Sequence, residues 1–479
     1  MISPKSRLSE TTLFTIFAVL AVSIFIIANF FIPFSLPLYI FSLVFASLFI
    51  FKKPEVGLFA IVALTFIFER FFTLEPLVWG EYTYKIYPLD ILTIITGLSF
   101  LFYKLRFPKT KILIGKLGSA ILMFVSFAAI ATAYGIARGG ETDLALSTFK
   151  NYALYSVFFF LTINIIREKE QLKRFVNLFL VLGFFLFVFI FIGFVRGAGL
   201  WIEYTPLSTL GTRLLAPTHA FYLSIVCLLS LNLLAFRKNI FRQFAVPIIL
   251  VQFLGIIGSL TRHLWLALAF GIVFSFIFLS KKYKKKLLKI LAVQILFIFI
   301  LITLYGWFSY ILTGEVPVIG AEYIKSTFLR FKAFTLTPTD ESAYFRLFAW
   351  QKAWELFKKN PALGIGFGHR LTFDFFGWPT RIEVRELHND FIGIALQMGI
   401  VGFLSFIALN VVFLAQALGL VKKVKEDLGP YCLGFLGCYV LFMVATAFGT
   451  YFDINLLVIF FWIFLGTVIS IKNIAEKQQ

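Results

Sequence analysis

Acidic side chains, cysteine and histidine are all scarce in this chain, and each shortage removes a class of explanation. Only 14% of the residues are charged, with 24 Asp and Glu against 44 Lys and Arg, too few to clothe a soluble domain of this size in solvated surface. The three cysteines, Cys227, Cys432 and Cys438, fall inside apolar runs. They give neither a disulfide framework nor a metal spacing and read as small core residues. There is no H-E-x-x-H, no Asp-rich doublet able to hold Mg²⁺ for nucleotide-sugar or prenyl-phosphate transfer, and no Gly-x-Ser-x-Gly elbow. The economical expectation is chemistry with no metal and no other cofactor. No period of about 20–50 residues repeats, and no matched pair of broken helices occurs in two halves, so solenoid and inverted-repeat architectures gain no support.

What the chain does have is apolar length. Of its 479 residues 60% are hydrophobic and 65 are Phe, and the mean hydropathy is +0.93. A helix needs about 20 mainly apolar residues to cross the hydrocarbon. Such stretches recur at 12–32, 35–51, 56–72, 88–103, 117–136, 150–166, 174–195, 216–236, 243–260, 263–280, 289–312, 391–420, 429–448 and 455–471. Open strands cannot span lipid, so the fold class is all-α, a polytopic transmembrane helical bundle. Its span count is fourteen, or twelve if the pairs within 12–51 and 243–280 are broken or tilted helices. Three regions follow: a bundle of about eleven spans over 1–312, a large loop over 313–390, and about three further spans over 391–479. The first run, Thr12 to Ile32, is too long for a signal-peptide core and lacks a small-residue cleavage site, so it is expected to remain as a helix.

The net charge of +20 would suggest nucleic acid in a soluble protein, but its distribution gives orientation instead. Loops on the side of the N-terminus carry 27 Lys and Arg against 7 Asp and Glu, and the other side carries 17 of each. The whole excess lies on one face, concentrated at Lys52-Lys53, Lys104 to Lys116, Arg167 to Arg174, Arg237 to Arg242, Lys281 to Lys289 and Lys422 to Lys425. Positive-inside bias makes that face cytoplasmic, with both termini on it. The charge therefore needs no anionic partner: membrane lipids are the expected surroundings, and nucleic acid is not an expected partner.

The loop at 313–390 then falls on the opposite, extracytoplasmic face. Thr339 or Asp340 can cap a helix over 340–359 whose apolar stripe is Phe345, Phe348, Ala349, Ala353, Leu356 and Phe357, ending at Asn360-Pro361. Arg346, Lys352, Lys358 and Lys359 lie off that stripe. Such a helix suits the membrane surface, the mouth of a cavity, or the top of the bundle. Gly364-Ile365-Gly366-Phe367-Gly368 follows it. A dinucleotide loop must follow a strand and open a helix, whereas this run closes one, so it reads as a turn.

Charges kept near span ends on that face are the first functional candidates. Arg213 precedes a span and Arg262 sits in the tight turn between two. A guanidinium there can grip a phosphate or diphosphate through parallel hydrogen bonds, and the plainer reading is an arginine snorkelling to lipid headgroups. Among the histidines, His219 falls within a span and suits a core role, His263 adjoins Arg262, and His369 lies in the loop. His388 is best placed for acid–base work, where the loop re-enters the membrane among Arg381, Glu383, Arg385, Glu386 and Asp390.

At this point the residues resemble a known family. His388-Asn389, followed after nine residues by Gly399-Ile400-Val401-Gly402, is similar to the H-[NSQ]-x₉-G-x-x-G pattern of the O-antigen ligase and polymerase superfamily. Arg346 to Trp350 and Ala353, then Asn360-Pro361 to Gly364 and Gly366, resemble that family's R-x₃-W-x₂-A and N-P-x-x-G-x-G segment before the histidine. Together these features cover residues 343–402. Arg262 resembles the family's arginine between consecutive spans, and Arg213 its arginine before a Pro-Asn step, from which Thr218 and His219 depart.

The resemblance implies a GT-C-like membrane glycosyltransferase of a bacterial inner membrane, with its active site facing the periplasm. Its donor would be an undecaprenyl-diphosphate-linked glycan and its acceptor lipid A-core or another glycan. It implies that Arg213 and Arg262 bind the diphosphate and that His388 activates the acceptor hydroxyl. Arg370, Arg381 and Arg385 are candidates for acceptor phosphates, with solvated loop charge as the plainer reading. Ligase is the first reading, followed by a polymerase joining lipid-linked glycans and a protein O-oligosaccharyltransferase. From another class, a transporter of polyprenyl-linked glycan would use the arginines without a covalent step.

Overall fold

The computed structural model describes every residue except 1–8, 30, 69–76, 80–81, 85–86, 109–110, 197–213, 237–243, 314–340, 375–381, 386, 425–426 and 479. Each of the fourteen apolar runs forms helix. Nine helical stretches among the described residues are long and apolar enough to cross a membrane, and four more apolar helices have 10–17 residues. The all-α reading holds, with two small additions in the polar connections: the antiparallel hairpins of β1 (Leu77–Trp79) with β2 (Tyr82–Tyr84), and β3 (Leu371–Phe373) with β4 (Ile382–Val384). Outside lipid a chain can satisfy its amides in a hairpin, which periodicity in runs of three residues cannot reveal.

The chain divides into two compact units. The first, 1–113 with 161–186, is built from α1 (Glu10–Ala28), α2 (Leu36–Lys52), α3 (Pro54–Phe68), α4 (Pro88–Arg106) and the first part of α8 (Lys169–Arg196). Its helices pack through aromatic rings, such as Phe59 on Phe175 at 5.3 Å and Phe66 on Phe179 at 5.5 Å. Glu55, almost fully buried, is gripped by the Arg174 guanidinium at 3.0 and 3.1 Å. A buried carboxylate without such a fork would carry a large desolvation penalty.

The second unit, 114–160 with 187–479, contains α5 (Gly115–Ala137), α6 (Thr142–Tyr152), α9 (Pro217–Ala235), α10 (Ala245–Gly258), α11 (Arg262–Phe278), α12 (Lys281–Thr313), α13 (Glu341–Lys359), α14 (Asp390–Lys423), α15 (Gly429–Thr446) and α16 (Asn455–Lys477). α7 (Val157–Ile165) and α8 each run through both units. At the centre of the second unit lie α9 and α16, each 89% buried over its apolar span. By contrast the outer sides of α12 and α14 expose Phe299, Trp307, Leu404 and Val411, which is how a helix meets lipid rather than water. The three cysteines are buried and unpaired, as expected of core residues.

The amphipathic helix appears as α13, and of its possible surroundings it has the top of the bundle. Ala349 and Ala353 are 1% exposed and join Leu371, Phe373, Leu387 and Leu396 in one apolar cluster, flanked by Phe345, Phe348 and Leu356. Its expected caps, Thr339 and Asp340, lie outside the described residues.

Candidate functional site

Three helices of the second unit, α9, α11 and α14, start at one end and finish at the other. Their C-terminal ends line a single cavity together with the start of α15, so their N-terminal ends share the opposite face of the unit. Arg262 is the first residue of α11 and His388 stands two residues before α14. Arg213, four residues before α9, lies outside the described residues, as does Arg381. Leu214, next in the chain, donates its N–H to the Gly258 carbonyl at 2.9 Å, tying the entry of α9 to the α10–α11 turn. Each N-terminus presents a partial positive charge and unbonded amides to that face, which favours an anion.

Polar contacts link the turn at Arg262 with His388. The His263 ring nitrogen lies 3.1 Å from the Tyr451 hydroxyl. Tyr451 and Phe452 in turn donate their backbone N–H groups to one oxygen of Asp390, at 2.7 and 3.0 Å. Asp390 is 2% exposed, so this carboxylate replaces lost water with amide donors and fixes the start of α14 to the α15–α16 connection. Asn389 caps α14, its side-chain oxygen accepting from the Ile392 N–H at 3.1 Å.

His388 itself takes a left-handed backbone, φ +51°. For a non-glycine residue this costs about 1–2 kcal/mol, and surrounding contacts must impose it. The most direct is Trp350, whose indole N–H donates to the carbonyl of Leu387 at 2.7 Å. Burial, reinforced by the Arg346 guanidinium, pushes the His388 imidazole down to about 4. The ring is neutral at physiological pH and has a lone pair available for a proton. In the free protein, kcat/KM is therefore expected to stay level from about pH 8 to about pH 5, with no acid limb at the ordinary histidine value. A bound diphosphate would favour imidazolium, so the acid limb in kcat should lie at higher pH than that in kcat/KM. Parallel pH–rate profiles measured in kcat and in kcat/KM check both.

A second cation precedes the histidine by three residues in the chain. Arg385 follows the β3–β4 hairpin, and its Nε and Nη2 atoms are buried with no hydrogen-bond partner. Buried guanidinium donors are nearly always satisfied, so a pair left open is suited to a ligand's oxygens. Arg370 is differently committed, forming a two-pronged ion pair with Glu141 at 2.8 and 3.0 Å on the exposed surface. His219 is fully buried with its ring 4.5 Å from that of Phe189, and His369 is a half-buried loop residue.

The spacing of the glycines has a mechanical meaning here. Gly399 sits at φ +65° and breaks α14, releasing carbonyls before it and amides after it. The chain leaving α13 takes up both sets. Ile365 and Gly366 donate N–H to Leu396 and Gln397 at 2.9 and 3.0 Å, while Ile400 and Val401 donate to Pro361 and Ala362 at 2.8 and 3.4 Å. Gly366, at φ +82°, lies so close to α5 that a Cβ would stand 2.4 Å from the Cα of Gly135. The run at 364–368 is thus a seam rather than an anion loop, since its amides are spent on backbone carbonyls. At Gly402 a Cβ would meet the side chain of Met398 at 2.2 Å.

Sequence reasoning missed Tyr451 and the anchoring role of Asp390, because both act through contacts made across the fold. It treated Arg346 and Trp350 as motif letters. The structure gives Arg346 an electrostatic hold on His388 and Trp350 a hydrogen bond to the preceding carbonyl.

Fold and geometry define a polytopic membrane protein with, among its described residues, a histidine and an arginine at the N-terminal ends of packed helices. Within it, residues 247–407 match a family model described as O-antigen ligase, so that stretch is similar to this family. The match spans Arg262, Arg346, His388, Gly399 and Gly402, and leaves Arg213 and the first unit outside it. No curated protein matches the chain.

Proposed function

We propose that this protein is an inverting glycosyltransferase of the O-antigen ligase type, moving a glycan from undecaprenyl diphosphate to a sugar hydroxyl of lipid A-core on the periplasmic face. The observation that carries the reading is a neutral, half-buried His388 under the charge of Arg346, with the open donors of Arg385 three residues earlier in the chain. A base without its own proton and donors for an anion are the two parts this chemistry needs. The positive-inside distribution supports the periplasmic assignment, because His388 and Arg262 lie on the less basic side.

In the step, the acceptor hydroxyl oxygen attacks the anomeric carbon as His388 takes its proton. The bond from that carbon to the phosphate oxygen breaks on the opposite side, and undecaprenyl diphosphate leaves with the electron pair. Arg262 and Arg213 meet the growing negative charge, assisted by the helix N-termini. Diphosphate is a good leaving group, so no general acid or divalent cation is called for.

Substituting Arg262→Gln should raise the donor KM or Kd about tenfold or more, since a charge-assisted pair contributes roughly 1.5–3 kcal/mol. Donor binding to purified protein, followed by fluorescence of a labelled lipid diphosphate, measures it. Assays with and without lipid A-core separate ligase from polymerase. A ligase gives product only with the acceptor lipid, and polymerised glycan in its absence would replace the ligase reading.

A further inference from the structure

The end of the second unit away from His388 holds a cavity of about 210 Å³ where five helices begin or finish. Its walls include Phe236, Leu279, Ser280, Tyr283, Cys432 and Leu433, a mixture of apolar and polar surface. Phe236 and Tyr283 stack at 3.9 Å with 27° between their planes. Lysines frame this wall. The ammonium groups of Lys282 and Lys286 stand 5.3 and 5.1 Å from the centroid of Tyr283, and Lys286 also reaches the Ala235 carbonyl at 3.4 Å. Lys422 and Lys423 close the last turn of α14 next to the cavity, and Asp427 is the described acid of the adjoining connection.

These features separate the site from an ordinary solvated run of positive charge. A lysine row that serves only to orient the chain needs no cavity and no ring to hold its ammonium groups. Here the ring of Tyr283, itself part of the cavity wall, holds two cations against it. Even an apolar cavity of about 150 Å³ takes up a ligand the size of benzene, so this one can receive part of a hydrocarbon chain. Basic pockets between helices at the cytoplasmic surface are suited to anionic headgroups, and an ammonium over an aromatic ring keeps most of its charge for a phosphate.

We propose that this cavity binds an anionic phospholipid of the inner leaflet, with part of an acyl chain between Phe236 and Cys432 and the phosphate at Lys282 and Lys286. The lipid wedges between the C-terminal ends of α9, α11 and α14, the same helices whose other ends carry the histidine and arginine site. The site is independent of the proposed transfer reaction.

The test uses the full chain, purified from mild detergent and reconstituted in nanodiscs of phosphatidylcholine with a minor fraction of phosphatidylglycerol. Lipid retained after detergent extraction is counted by native mass spectrometry. Wild type is expected to keep one phosphatidylglycerol per chain in preference to phosphatidylcholine. The double variant Lys282→Gln, Lys286→Gln should reduce that retention about tenfold. Gly429→Leu should do the same by filling the space, because the nearest atoms to a Cβ there are ring carbons of Phe236 at 3.7 Å. A control pair at the other end, Lys358→Gln with Lys359→Gln, should retain lipid as wild type does. Equal retention of the two lipids by wild type, or undiminished retention by both cavity variants, overturns the proposal.

Discussion

Replacing His388 by alanine is expected to lower glycan transfer by about 10²–10⁴-fold, the usual range for losing a positioned proton acceptor. Donor binding should change by less than about twofold, since the lipid diphosphate is held by guanidinium groups and helix N-termini rather than by a neutral imidazole. Alanine tolerates φ +51° poorly, so His388→Asn is the matching variant: asparagine adopts the left-handed region readily and leaves the backbone undisturbed. Both variants should lose transfer, and the asparagine form should melt within a few degrees of wild type. Single-turnover transfer with donor pre-bound, beside thermal unfolding in detergent, separates the outcomes. Intact transfer by His388→Asn would remove the histidine from the chemistry. Loss of donor binding in both variants would make it a binding residue.

Gly399→Ala is expected to produce a large stability loss. The new Cβ would stand 2.2 Å from the Ala362 carbonyl oxygen, 2.4 Å from its carbon and 2.6 Å from the Gly364 nitrogen, all backbone atoms that cannot rotate away. It would also be held at φ +65°, where a side chain is strained. Strain and overpacking together come to about 2–5 kcal/mol, and relief requires breaking the bonds that sew 361–366 to 396–401. Those bonds set the height of α13 on α14 and so the reach of Trp350 to Leu387. The variant should therefore lose folded yield and, in what folds, lose transfer. Gly419→Ala in the same helix meets nothing within 4 Å and should be neutral or slightly stabilising. Comparable melting of the two variants would show that the seam is not what holds the site.

The helical architecture was legible in the sequence because lipid permits so few alternatives: each long apolar run had to satisfy its backbone hydrogen bonds as helix, and the run at 391–420 departs from this only at Gly399, where the chain after α13 supplies the partners. The amphipathic α13 was legible from its stripe, but the stripe could not say whether membrane or bundle would cover it. Ala349 and Ala353 answer for the bundle. The hairpin before His388 escaped notice because strands of three residues leave almost no periodic trace. The pairing of the two glycine motifs was hidden for another reason. Spacing alone shows two separate turns, and only the fold reveals that the amides released at Gly399 match the carbonyls offered after α13. The Tyr451 to Asp390 contact joins residues 61 positions apart, beyond any local pattern. The ion pair of Arg370 with Glu141 joins residues far apart in sequence, which no local pattern could show.

The central claim is that the histidine and arginine end of the second unit carries out covalent glycan transfer without a metal. It is tested most directly by incubating the purified full chain with undecaprenyl-diphosphate glycan and lipid A-core in the presence of a chelator, and weighing the lipid product by mass spectrometry. The account predicts glycosylated lipid A-core and free undecaprenyl diphosphate in equal amounts. Donor recovered intact, or transfer that returns only when a divalent cation is restored, would contradict it.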